Sequence, residues 1–259
     1  MNTAQILETP DWSPAPAAPL ADARHPTVTE QMPEGGFPVV DLLLRDRGRY
    51  LQLLQSSGAT ERVARTLLIT IAVSAAATGA AVGAFHGGIQ VFYAALKLPL
   101  VVLMTTVVCA PALVALNKAV HGESRPQRDL LLVLSALALG TLATAGLAPL
   151  LLLATRYGVE YHRIIILFVT CCAIGGAVGG SLLLAGLSGS DVGGRSIVGA
   201  TMITLLMIVG AQASWTFRPY LLRPAAESVP FMRGIEDNFL DSVTTSFASS
   251  RGEYSRSRR

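Results

Sequence analysis

The side chains that could do chemistry are few, and they stand at the margins of long uncharged stretches: Lys97, Asn117, Gln212 and Arg218, with Ser74, Thr105, Thr106 and Thr170 deeper inside. An ionisable group at mid-depth in a membrane marks a functional site by default because its burial is costly, and none of the uncharged stretches contains one. Lys97 and Arg218 fall where long side chains can reach back to headgroups, so both are expected to anchor span ends. Ser188, Ser190 and Asp191 lie in SGSDVGG without the G-x-S-x-G of a nucleophile elbow. His25, His86, His121 and His162 stand singly, not paired with a Glu at the helical spacing a zinc peptidase uses. Cys109, Cys171 and Cys172 sit in apolar blocks with neither zinc nor disulfide spacing. The expectation is therefore no catalytic residue, no cofactor and no metal. The mid-depth acid of a proton-coupled carrier and the polar lining of a pore are also missing. An apolar or amphipathic solute escapes this argument, since glycine and apolar residues alone can build its site.

The elements that position these residues follow from composition. The 259 residues are 51% hydrophobic and only 14% charged, against roughly 25% charged in an average soluble domain. Crossing the bilayer takes about 20 apolar residues, and five stretches qualify: 66–85, 98–117, 130–154, 164–187 and 196–217. The intervening HGGIQVFYAALK, KAVHGESRPQRD, RYGVEYHR and SGSDVGGR carry the Gly, Pro and charges of turns in the headgroup region. The fold class is an all-α membrane protein, a bundle of about five transmembrane helices. Ile89, Phe92, Tyr93 and Leu96 recur at helical spacing, which predicts a short interfacial helix bending at Pro99; the alternative is one long tilted helix of about 30 residues. The formal net charge of +3, without basic runs interleaved with aromatics, excludes a nucleic-acid partner.

Residues 1–38 hold seven prolines and few large apolar side chains and read as disordered, with no signal peptide. Residues 39–57 place Leu43, Tyr50, Leu51 and Leu54 near one face, an amphipathic helix expected to lie in the membrane interface. Residues 228–247 repeat the pattern with Phe231, Ile235, Phe239, Val243 and Phe247, and 248–259 read as a basic disordered tail. Arg45, Arg47, Arg49, Arg62, Arg65, Lys118, Arg125, Arg128 and Arg195 would share one side, which puts the N-terminus in the cytoplasm and the chain in a bacterial inner membrane.

Small residues dominate two spans. Gly79 and Gly83, Gly175 and Gly179, and Gly176 and Gly180 are each four apart, a spacing that lets helix backbones approach closely. Packing within the bundle is the favoured role, and a homodimer seam on the fourth span is the alternative. Spans one and four are expected at the crowded centre, with the leucine-rich third span facing lipid. Pro99, Pro111 and Pro149 free carbonyls that neighbouring groups must satisfy.

Lys97, Pro99, Pro111 and Asn117, with a closing G-x-Q-x-x-W-x-x-R-P at Gly210, Gln212, Trp215, Arg218 and Pro219 and then Phe231, Arg233, Asn238 and Phe239, resemble a family of uncharacterised bacterial polytopic membrane proteins. The resemblance covers the membrane half and C-terminal segment, RPAAES being a departure, and the architecture is distantly similar to Yip1-type trafficking proteins. It implies a bundle but no reaction. On the shared residues, Trp215 suits the aromatic belt. Arg218 is placed to meet a lipid phosphate or to pair with Glu236 or Asp237 as a structural clasp. The functional expectation is a non-enzymatic scaffold, assembly factor or membrane organiser. Its partners would be membrane lipid, a protein held by the N-terminal segment or C-terminal helix, or a second copy. The alternative is a transporter or channel for an apolar or amphipathic solute.

Overall fold

The computed structural model describes residues 32–33, 35–56, 60–121, 126–187 and 192–216. Among them are eight helices: α1 Gly36–Arg45, α2 Arg47–Ser56, α3 Thr60–Gly83, α4 Ile89–His121, α5 Pro126–Gly146, α6 Ala148–Arg156, α7 Tyr161–Gly186 and α8 Val192–Thr216. Five spans are long and apolar enough to cross a membrane, Glu61–Gly83, Ile89–Val120, Pro126–Arg156, Tyr161–Gly186 and Ser196–Ser214. Their outer faces carry exposed Ile69, Val73, Val107, Val108, Ile174 and Ile208. Acyl chains, not water, are the solvent that accepts such a surface. The expected 228–247 helix and 248–259 tail lie outside the described residues.

The stretch before the first span differs from expectation at its edge. Helix α1 starts at Gly36, inside the segment expected to be disordered, and Met32 is buried. Pro38 is compatible because a first-turn N–H has no partner within the helix in any case. The single amphipathic helix over 39–57 is two helices, interrupted at Asp46. Arg49 N–H donates to Asp46 Oδ1 at 2.9 Å, so this aspartate caps α2 and restarts the helix.

The second span is one helix of 33 residues with Pro99 and Pro111 inside it, not a short interfacial helix and a bend. At ~1.5 Å per residue it is about 50 Å long, more than the hydrocarbon core needs, so it tilts or projects beyond the core. The third span is interrupted at Leu147, between α5 and α6. Pro149, in the first turn of α6, supplies no N–H for the missing rung.

Helices pack in the order α7, α5, α3, α4, α8, and α4 also touches α5. The leucine-rich α5 is central and not lipid-facing, whereas Leu150, Leu152 and Leu153 of α6, at the end of the same span, are exposed as expected. Half of the third span's most apolar window is buried, against 28% for the fourth span. Leucine has no reason to leave the bundle when lipid is no more apolar than the interior. What selects α5 for the centre is its small residues: Ser135, Ala136, Ala138, Gly140 and Thr144 are all buried.

Candidate functional site

The three glycine pairs do different work. On α3, a Cβ at Gly79 would strike the Ala94 carbonyl, and one at Gly83 would lie 2.7 Å from the Gln90 carbonyl oxygen, so this pair seats α4 directly on α3. On α7, Gly175 and Gly179 face α5. A Cβ at Gly175 would sit 2.6 Å from the Gly140 carbonyl oxygen, and one at Gly179 would strike the Ala136 carbonyl. Gly176 and Gly180 look the other way. A Cβ at Gly176 would meet nothing within 4 Å, and one at Gly180 only the end of Ile203, at 3.3 Å. The second pair therefore leaves space instead of closing it.

That space is a cleft of about 370 Å³ between α7 and α8, floored by α3, α4 and α5. Its walls belong to two different packed units, α7 on α5 and α8 on α4, and α7 meets α8 only lightly. The two come together where a Cβ at Gly199 would strike Leu184. Among the described residues, the hydroxyls in the lining are those of four threonines and Ser214. Thr78, Thr105, Thr141 and Thr144 donate to the carbonyls of Ser74, Val101, Ala138 and Gly140 at 3.0, 2.8, 3.1 and 2.9 Å. Their protons are engaged within their own helices, so they offer the cleft weak acceptors and no donors. Among the described residues, no charged side chain lines it. Such a surface suits a chain of methylenes and not a polar headgroup. Cys172 lines the cleft and is exposed, whereas Cys109 and Cys171 are buried.

Lys97 is not at a span end. It is fully buried on α4, eight residues inside the helix start, on the face that also carries Gln90, Ala94 and Val101. The side chain differs from the exposed span-end lysine expected, because α4 continues back to Ile89 and neighbouring residues cover it. His86 follows the end of α3 and His162 is in the first turn of α7, and each keeps a buried Nδ1 without a hydrogen bond among the described residues. Gln212 is on the exposed side of α8. Trp215 belongs to α8 by its backbone, and its side chain, with Arg218, Glu236 and Asp237, lies outside the description, so the clasp is not among the described contacts.

Asn117 does find an acidic partner, one that sequence reasoning placed in a headgroup turn. Its Nδ2 donates to Asp129 Oδ1 at 2.9 Å, and both side chains are buried. Asp129 stands in the first turn of α5. An acid three residues after a helix-starting proline is the available signal, favourable there through the helix dipole, but only tertiary contact reveals the pairing with α4. Beside it, Arg128 Nη2 approaches the Gly186 carbonyl oxygen at 3.5 Å, at the end of α7.

The arm formed by α1 and α2 is packed on this same end. Val39 and Leu43 from α1 and Tyr50, Leu51 and Leu54 from α2 join a core with Leu131, Leu182 and Leu183. Tyr50 Oη and Ser135 Oγ are 2.6 Å apart, and Ser135 Oγ donates to the Leu131 carbonyl at 2.6 Å, so the phenol is the donor. Burial pushes the Tyr50 phenol up to about 12, against a smaller opposite effect of its bond with Ser135.

Among the described residues there is no group of three or more His, Cys, Asp or Glu side chains able to hold a metal ion. No family model matches the chain, and no curated protein or solved structure matches it either. The class that fold and site define is a multi-pass helical membrane protein with an apolar cleft inside its bundle.

Proposed function

We propose that this protein is a non-enzymatic inner-membrane protein that holds the apolar chain of a lipid or lipid-like solute between α7 and α8. The observation that carries this reading is the cleft itself. It has a volume of about 370 Å³, glycines on one wall and threonine hydroxyls already bonded to their own helices. Apolar volume left unfilled forfeits dispersion contacts, so a space of this size is stable when acyl carbon fills it. The excess of basic residues on the side of the N-terminal arm supports a cytoplasmic N-terminus.

The test uses the protein in nanodiscs containing a phosphatidylcholine with a photoreactive diazirine at mid-chain. The expected products map to α7 and α8, and Gly176→Leu, which fills the cleft, lowers them at least fivefold while leaving the protein folded. Equal labelling of every lipid-facing helix, unchanged by Gly176→Leu, would dispose of the proposal.

A second reading, as a scaffold or assembly factor, is favoured by α1. With Val39 and Leu43 turned into the bundle, the helix leaves Phe37 and Leu44 exposed, seven residues apart on one stripe. On this reading a partner protein co-purifies in mild detergent, and Phe37→Ser with Leu44→Ser abolishes its recovery without loss of membrane insertion. Unchanged recovery in the double variant rejects it.

A further inference from the structure

At the end of the bundle where the arm docks, Asn117 and Asp129 share a single hydrogen bond, Nδ2 to Oδ1 at 2.9 Å. Asp129 is 6% exposed and Asn117 9%. Their two remaining oxygens, Asp129 Oδ2 and Asn117 Oδ1, are buried and have no hydrogen-bond partner among the described residues. Two acceptors left over in one buried pair is a costly arrangement, because each loses its water without replacement. The two atoms left over are the ones that a head-to-head pair of carboxylic acid and carboxamide joins through one proton. With a proton on Oδ2, Asp129 becomes a donor. In a cyclic pair its O–H would donate to Asn117 Oδ1 while Asn117 Nδ2 continues to donate to Asp129 Oδ1, and all four heteroatoms would have a partner.

We propose that Asn117 and Asp129 form a proton-binding site, occupied at neutral pH, in which one exchangeable proton completes a cyclic acid–amide pair between α4 and α5.

The charged groups around it do not offer a better solution. From α5 itself comes Arg128, half-buried and directed to the Gly186 carbonyl. From α4 comes Lys118, exposed on the residue after Asn117. On α3, Glu61, Arg62 and Arg65 are exposed, Arg65 being paired with Glu61 at 3.1 Å. On α1 and α2, Asp41, Arg45, Arg47 and Arg49 are exposed, and Arg45 is paired with Asp41 at 2.7 Å. Between Arg163 and Gly186, α7 has no charged residue. Among the described residues, Arg128 and the amino-terminal end of the α5 dipole are what favour an ionised Asp129, and the Arg128 guanidinium is not among the partners of Oδ2.

Asp129→Asn is the decisive variant, because an asparagine there donates from the position of the bound proton and reproduces the neutral pair. The protein is studied in nanodiscs by difference infrared spectroscopy. Wild type is expected to show the carbonyl stretch of a protonated carboxyl at pH 7, downshifted in D2O, and Asp129→Asn to lack it. Asn117→Leu is expected to move the band, since the hydrogen-bonded amide is gone, and Arg128→Gln to leave it in place. Asp129→Asn is also expected to melt within about 4 °C of wild type. Absence of the band in wild type at pH 7, its persistence in Asp129→Asn, or its appearance only in Arg128→Gln would each overturn the proposal, the last by showing an ionised Asp129 held by Arg128. A folded Asp129→Asn is required, and a variant that fails to fold counts against the pairing. The readout does not involve the cleft, so it stands or falls separately from the lipid reading.

Discussion

Gly179→Ala is expected to destabilise the bundle by about 1–3 kcal/mol, the range for overpacking a close contact, whereas Gly176→Ala, three residues earlier on the same helix, is expected to be neutral or slightly stabilising. The new methyl at position 179 would be driven into the Ala136 carbonyl, and backbone cannot step aside as a flexible side chain can. At position 176 it would enter open space, and the helix gains up to ~1 kcal/mol from the better intrinsic propensity of alanine. Gly175→Ala, with its Cβ 2.6 Å from the Gly140 carbonyl oxygen, belongs with Gly179→Ala. Because 175 and 179 share one seam, their double variant will not be additive. For a chain of this size the losses correspond to about 3–10 °C in melting temperature, measurable by thermal unfolding in nanodiscs. The reverse ranking would mean that α7 is rotated, with the other glycine pair against α5.

Tyr50→Ala is expected to release the arm from the bundle. Removing a fully buried aromatic ring costs about 3–5 kcal/mol. Loss of the bond to Ser135 adds about 1 kcal/mol. Every 1.4 kcal/mol is a factor of ten in population, so opening of α1 and α2 should rise at least a hundredfold. Trypsin cleavage at the exposed Arg45, Arg47 and Arg49 reports this directly, since proteolysis of a locally opened segment follows its population. The five-span bundle should survive as a protected core. Tyr50→Phe keeps the ring and should cost only about 1 kcal/mol, because Ser135 retains its bond to Leu131. Cleavage no faster in Tyr50→Ala than in wild type would show that the ring does not hold the arm.

The same residue sets a pH dependence. The phenol is neutral below pH 10 whether the arm is docked or released, so its contribution is whole there. Its docked value, about 12, lies above that of a free tyrosine. The contribution is therefore lost as pH climbs from 10 through 12. In a tyrosinate absorbance titration of the six tyrosines, the last step should lie near pH 12 and be absent in Tyr50→Phe.

The spans were legible because hydrophobic length is a one-dimensional property: 66–85 and 164–187 need no knowledge of their neighbours to be recognised. The glycine spacings were legible for the same reason. Which face of a helix meets protein is a relational property, and there the sequence misleads. The four glycines of GGAVGG alternate between two faces, and only the placement of α5 and α8 tells packing glycines from cleft glycines. The central position of α5 was hidden by its leucines, since hydropathy does not separate a lipid-facing leucine from a packed one. Lys97 was read as an end residue because Gly87 and Gly88 interrupt the hydropathy. In three dimensions they take left-handed backbone, φ 78° and 57°, in the turn before α4, and the helix restarts at Ile89. Asp129 was assigned to a turn by its neighbours Arg125, Pro126 and Arg128, and its partner is on another helix.

The arm's seat has a temporal consequence. Tyr50 and Ser135 are 85 residues apart, and at roughly 5–20 residues per second the ribosome delivers the second about 4–17 s after the first. Throughout that interval the stripe of Leu43, Tyr50, Leu51 and Leu54 lacks the part of its receptor that α5 and α7 supply. The headgroup layer is the nearest medium that accepts an amphipathic helix, so the nascent arm is expected to rest there until α5 and α7 have entered. Docking of the arm thereby marks a finished bundle, and a chain truncated before α5 would keep its N-terminal helices on the bilayer surface.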